Sequence, residues 1–95
     1  MTVAKWNDAI LAKSDDVVKV EGNLYFPMES VNREYLKPSP TRSLCPWKGE
    51  AHYFHVVVGE KTNPDAAWHY PNTKPEAKHI KERVAFWKGT KVFNE

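Results

Sequence analysis

Punctuation constrains this chain more than any other feature. Seven prolines and a series of turn-forming pairs cut its 95 residues into short segments. Asn7-Asp8, Glu21-Gly22-Asn23 and Lys88-Gly89 are turn signals, and Pro27 and Pro71 each stop an extended run by removing a backbone donor. Between these marks lie β-branched and aromatic stretches of strand length. They predict strands over residues 3–6, 9–12, 17–20, 24–26, 51–58, 66–70, 84–87 and 91–93. Residues 59–65 read as a long turn that joins 51–58 to 66–70 in one antiparallel hairpin. Residues 28–36 form the first helix candidate, with Met28, Val31, Tyr35 and Leu36 near helical spacing and Glu29 in the first turn. Lys37-Pro38-Ser39-Pro40 closes it, and residues 41–49 follow as a loop. Pro75 opens a second short helix to about Lys81, with Thr73 as its cap. The expected architecture is a single domain over residues 1–95. It is mainly β, a small antiparallel domain with one or two short helices.

The core of so small a chain falls to its aromatics: four Trp, four Tyr and four Phe. A net charge of +2 gives no strongly basic face, so nucleic acid is a disfavoured partner. The run Lys78, Lys81, Arg83, Trp87, Lys88, Lys91 interleaves basic and aromatic residues, but Glu76 and Glu82 dilute it into a solvated face. A single cysteine, Cys45, excludes an intramolecular disulfide and a thiolate zinc knuckle. No stretch has the length and apolarity of a signal peptide or a membrane span, so the expected compartment is the cytoplasm.

The segment Ser43-Leu44-Cys45-Pro46-Trp47-Lys48-Gly49-Glu50-Ala51-His52-Tyr53 resembles the Cys-Pro-aromatic-Lys-Gly-x-Ala-x-Tyr signature of the family known as domain of unknown function 427. Tyr25-Phe26-Pro27 with Glu29 and Val31, Pro38-Ser39 with Thr41, Ala66-Ala67-Trp68-His69-Tyr70-Pro71 and Val84-Ala85-Phe86-Trp87 resemble its other segments in the same order. The resemblance implies a β-tent-like fold, similar to that of methionine sulfoxide reductase B. It implies little about activity beyond the nucleotidyltransferase label the family has sometimes carried. The chain departs from the β-tent pattern in lacking paired Cys-x-x-Cys knuckles. It also has Glu82-Arg83 where the family more often has a glycine.

No catalytic motif is complete. Asp15-Asp16 are adjacent, so on a strand they point to opposite faces and read as a polar turn. There is no P-loop and no dinucleotide fingerprint, and no cofactor is expected. His52, His55, His69 and His79 show no standard metal spacing, and no metal site is expected. Cys45 is the candidate nucleophile, with Arg42 and Lys48 near in sequence; its plainer reading is a small buried residue pinned by Pro46.

The most suggestive set is aromatic. Ala51, Tyr53 and His55 share one strand face, and so do Ala66, Trp68 and Tyr70. In a hairpin these faces coincide, and the two alanines leave room beside the rings. Tyr53, Trp68 and Tyr70 then form a wall, with Lys48 as a polar anchor for a small molecule or a peptide end. The same rings also suit a solid core. Three functions follow: a ligand-binding module, a small transferase-like enzyme using Cys45 and Lys48, and a structural or homo-oligomerising protein.

Overall fold

The computed structural model describes all 95 residues and arranges them in nine antiparallel strands. β1 (Thr2–Trp6) and β2 (Ala9–Ser14) form the first hairpin. Asn7 and Asp8 between them have φ of 50° and 63°, the mirror-image turn whose twist matches that of the strands. β3 (Val18–Val20) and β4 (Asn23–Pro27) repeat the device, with Glu21 and Gly22 at φ 52° and 83°. β5 (Leu36–Cys45), β6 (Gly49–Val58), β7 (Lys61–His69) and β8 (Arg83–Phe86) follow, and β9 (Lys91–Asn94) ends the chain. One sheet has the order β2-β1-β9; the other has the order β3-β4-β8-β7-β6-β5. No helix is long and apolar enough to cross a membrane.

The mainly β, antiparallel expectation holds, and four local expectations do not. Residues 28–36 form no continuous helix but two single 3-10 turns, Met28–Ser30 and Arg33–Tyr35. Val31 between them is extended, bridges Ala12 and is buried in the core; the Asn32 N–H donates to the Leu11 carbonyl at 2.8 Å. These tertiary bonds outcompete the weak helical periodicity.

Residues 37–45, read as a helix stop and a loop, belong to β5. It is an edge strand, where a missing proline N–H costs little, and an irregularity between Pro38 and Arg42 absorbs Pro40. The long turn shrinks to Gly59-Glu60, because Val58 already pairs with Lys61. Pro64 sits within β7 at a bulge, where the register shifts between Phe54 and Val56. The second helix is a kinked 3-10 segment, Pro75–Ile80. Its cap position is Lys74, with no side-chain cap bond, while Thr73 bridges Gly49.

Alternation divides the six-stranded sheet. Phe26, Val56, Ala67, Val84 and Phe86 face the three-stranded sheet and meet Ala4, Leu11 and Ala12 in the main core. Tyr25, Ala51, Trp68 and Ala85 point the other way, into a second cluster with Tyr70, Ala77 and Ile80. Glu82, where the resemblance led a glycine to be expected, has φ 60°. The backbone there takes the left-handed form that glycine adopts without strain, and its carbonyl accepts the Met28 N–H at 3.1 Å.

Asp65 ties the irregular parts of three strands together. Its carboxylate accepts hydrogen bonds from Ser39 Oγ and, at 2.8 Å, from Thr41 Oγ1, both on β5. Its N–H donates to His55 Nδ1 at 3.1 Å on β6. The Ser39 bond above all, opposed by burial and aided by Thr41 and His55, holds its pKa below the usual 3.8. A depressed carboxylate stabilises the fold above its unfolded pKa and loses that contribution as pH falls through the folded value. Replacing Asp65 with Ala removes two charge-assisted bonds and forces alanine into φ 54°, at a cost of about 2–3 kcal/mol. Urea unfolding of wild type and Asp65→Ala checks this: the gap between them should be full at neutral pH and shrink below about pH 4. A gap unchanged by acid would contradict the role of the charge.

Candidate ligand-binding site

β6 and β7 meet with Tyr53 opposite Trp68. Their rings lie on the same side of the sheet, 6.4 Å apart between centroids. On the next strand pair Trp68 faces Ala85, whose small side chain leaves the indole room. Trp87, just past β8, stands edge-on to Trp68 at 5.7 Å; its indole N–H donates to the Asp65 carbonyl and its backbone N–H to the Ala66 carbonyl. From β4, Tyr25 meets Trp68 edge-on at 6.2 Å and accepts its indole N–H at 3.3 Å. Tyr70 extends the row beyond β7. These rings, with Asn23 and Lys48, line an open cavity of about 230 Å³.

Lys48 reaches the cavity from the turn between β5 and β6. Gly49 has φ 120°, and a Cβ there would come within 2.7 Å of the Asn72 carbonyl oxygen, so the turn needs glycine. The Lys74 N–H donates to the Lys48 carbonyl at 3.1 Å, and Lys74 Nζ to the Pro46 carbonyl at 2.6 Å, fastening the turn to the 72–74 segment. Lys48 itself is only 7% exposed. Its ammonium donates to Glu21 Oε1 and lies 5.1 Å from the Trp47 ring centroid and 5.8 Å from that of Tyr70. Burial opposes its charge, but the Glu21 hydrogen bond and the nearby Tyr25 and Cys45 raise its pKa above 10.5. Lys48 is therefore cationic at neutral pH. An ammonium has three donors, and Glu21 takes one of them.

The structure thus brings Lys48, Tyr53, Trp68 and Tyr70 around one cavity. Sequence reasoning missed Tyr25, Asn23, Trp87 and Glu21. Asn23 and Tyr25 carry the period-2 signal, two residues apart on one strand, but nothing local says which strand lies beside Trp68. Ala66 does not stand beside the rings: it packs into the main core, because the bulge before it breaks the alternation. Cys45 is half-buried at the end of β5 against the second cluster and does not line the cavity. Asp15 and Asp16 do not converge. Asp15 lies 3.5 Å from the Met1 amino group, and Asp16 pairs with Arg83 at 3.2 Å. The histidines spread out: His55 turns to Asp65, His79 is exposed, and His52 and His69 lie on the opposite face of the sheet from Trp68.

Residues 1–94 match the family described as domain of unknown function (DUF427), and the chain belongs to that family. No curated protein matches it.

Burial raises the pKa of both Tyr25 and Tyr70 above 10.0; neighbouring ionisable groups add to it at Tyr70, while at Tyr25 the Trp68 hydrogen bond and the Lys48 charge oppose it without cancelling it. A phenol kept neutral in the fold but free to ionise when unfolded stabilises the fold below its unfolded pKa and loses that contribution as pH rises. Lys48 acts with the same sign. Stability should therefore fall above about pH 10, and the tyrosinate absorbance of Tyr25 and Tyr70 should appear together with loss of the fold. Two wall tyrosines that ionise near pH 10 with the fold intact would show that the wall is wet and loose.

Proposed function

We propose that this member of the DUF427 family is a small-ligand binding module whose site is the cavity between Tyr53, Trp68, Trp87 and Lys48. The observation that carries this reading is the combination of five aromatic rings and one cation around an open space of about 230 Å³. Aromatic side chains that served only as packing would close on one another. Here Trp68 and Tyr70 do both: each is buried in the second cluster and each presents a surface to the cavity.

The lining selects the ligand class. Flat rings stack on or meet edge-on the faces of Tyr53 and the two indoles. Lys48 disfavours a cationic ligand and offers its remaining donors to a carbonyl or an anionic oxygen. Glu21 balances its charge, so the ligand need carry no more than one negative group. The best fit is a small, flat aromatic or heteroaromatic molecule with one acceptor or carboxylate group. Cys45 stands outside the lining, which gives the transferase-like reading no support here.

The test is a titration with a panel of heteroaromatic carboxylic acids and their neutral amides, followed by the indole N–H signals in NMR. The signals of Trp68 and Trp87 should move saturably, while that of Trp6 stays fixed. Lys48→Met keeps the stem and removes the charge. It should weaken the acids about tenfold, the size of one charge-assisted hydrogen bond, and leave the amides nearly unchanged. Trp87→Ala, at a half-exposed position, should weaken both. Fixed indole signals across the panel, or equal affinities in Lys48→Met, would remove this reading.

A further inference from the structure

The three-stranded sheet does not cover all of the face it packs against. Two adjoining clefts remain there, sharing Met28, Arg33 and His69. One, of about 270 Å³, runs over Leu36, Pro38 and Phe54. The other, of about 370 Å³, reaches Pro71 and Glu82. The register sets a transverse row across this face: Arg42 on β5 pairs with His52 on β6, which pairs with His69 on β7. Cross-strand partners point to one side. The two imidazoles are 5.9 Å apart, and the Phe54 ring stacks on His69 at 4.9 Å with only 20° between the planes.

The charges here are unbalanced. Arg42 donates to the Ser39 and Thr41 carbonyls, each at 2.9 Å, which holds the guanidinium in place without neutralising it. None of the six ion pairs in the molecule involves Arg33 or Arg42. The opposing carboxylates are Glu50, bound to His52 at 2.9 Å, and Glu82, which lines the second cleft with Arg33 and His69. Burial, then the positive fields of His52, Arg42 and Arg33, lower the pKa of His69 below 6.5. An imidazole beside two arginines that have no carboxylate partner is a site that gains from an anion, because the anion relieves the repulsion and lets His69 take up a proton.

We propose that this groove is a second binding site, for a phosphate monoester whose anionic oxygens meet Arg33 and His69 and whose flat body lies over Phe54. Arg33 and His69 line both clefts, and Arg42 adds a second guanidinium charge from the row alongside, which matches a dianion better than a single carboxylate. The apolar strip of Leu36, Pro38 and Phe54 adds what inorganic phosphate alone cannot use. The site is independent of the cavity around Trp68, which opens on the other face of the sheet.

Phenyl phosphate, inorganic phosphate and phenol are the probes, at constant ionic strength. Phenyl phosphate should move the ring signals of His69, His52 and Phe54 saturably and raise the His69 pKa. Phosphate should do so more weakly, and phenol hardly at all. Arg33 and Arg42 are exposed, so Arg33→Gln and Arg42→Gln should fold normally and each weaken phenyl phosphate severalfold to about tenfold. The proposal is overturned if sodium chloride produces the same shifts, if both arginine variants bind as wild type does, or if phosphate binds as tightly as phenyl phosphate. It is also overturned if the indole signals of Trp68 and Trp87 move instead, since that would place the ligand in the other cavity.

Discussion

The pairing of Tyr53 with Trp68 fixes everything that matters about this molecule's surface. Side chains alternate along a strand, so a slip of one residue would turn every side chain of β7 to the other face. With the observed register, Ala67 and Phe54 go to the main core side, and Trp68, Tyr53 and Tyr70 go to the opposite side. The same alternation carries through β8 and β4, where Val84 and Phe26 face the core and Ala85 and Tyr25 face the cavity. Phe26 and Phe86 then lock edge-to-face at 5.8 Å inside the core. A chain this short has just enough apolar residues for one good core, so placing its largest rings on the second face leaves that face only partly covered.

What keeps that second face from collapsing is the Lys48 turn. Gly49, the bridge to Thr73 and the two bonds from Lys74 hold the turn over the sheet end, and the Pro75–Ile80 segment that follows buries its Ala77 and Ile80 in the second cluster. Burying an ammonium is costly unless it is paired, and a hydrophobic residue would serve packing as well or better. Here the cost is offset by Glu21, presented from the left-handed turn between β3 and β4, and by the faces of Trp47 and Tyr70. A charge retained among aromatic rings, with donors still unused, makes more sense as part of a recognition surface than as a packing element.

Much of this was legible in the sequence, because short hairpins declare themselves locally. Asn7-Asp8 and Glu21-Gly22 set both the turn and the register of their hairpins, and the shared face of Tyr53, Trp68 and Tyr70 follows from counting by twos. The misreadings share one cause, which is long-range pairing. Pro38 and Pro40 look like breakers until β5 is known to be an edge strand. Val31 and Asn32 look helical until β2 offers them partners. Asn23, Tyr25 and Trp87 reach the cavity from segments whose neighbours depend on the strand order β4-β8-β7-β6, and no local pattern encodes that order. The Arg42-His52-His69 row is hidden for the same reason, since it exists only across three paired strands.

Both binding surfaces depend on which rings share a face, and proton–proton contacts between side chains in solution measure that directly. The Trp68 indole should show contacts to Tyr25, Tyr53 and Trp87, whose centroids lie 6.2, 6.4 and 5.7 Å away. Phe26 should contact Phe86, and Phe54 should contact His69. Contacts from Trp68 to Phe26, Phe86 or Leu11 would mean that the register is shifted and that neither binding surface exists as described.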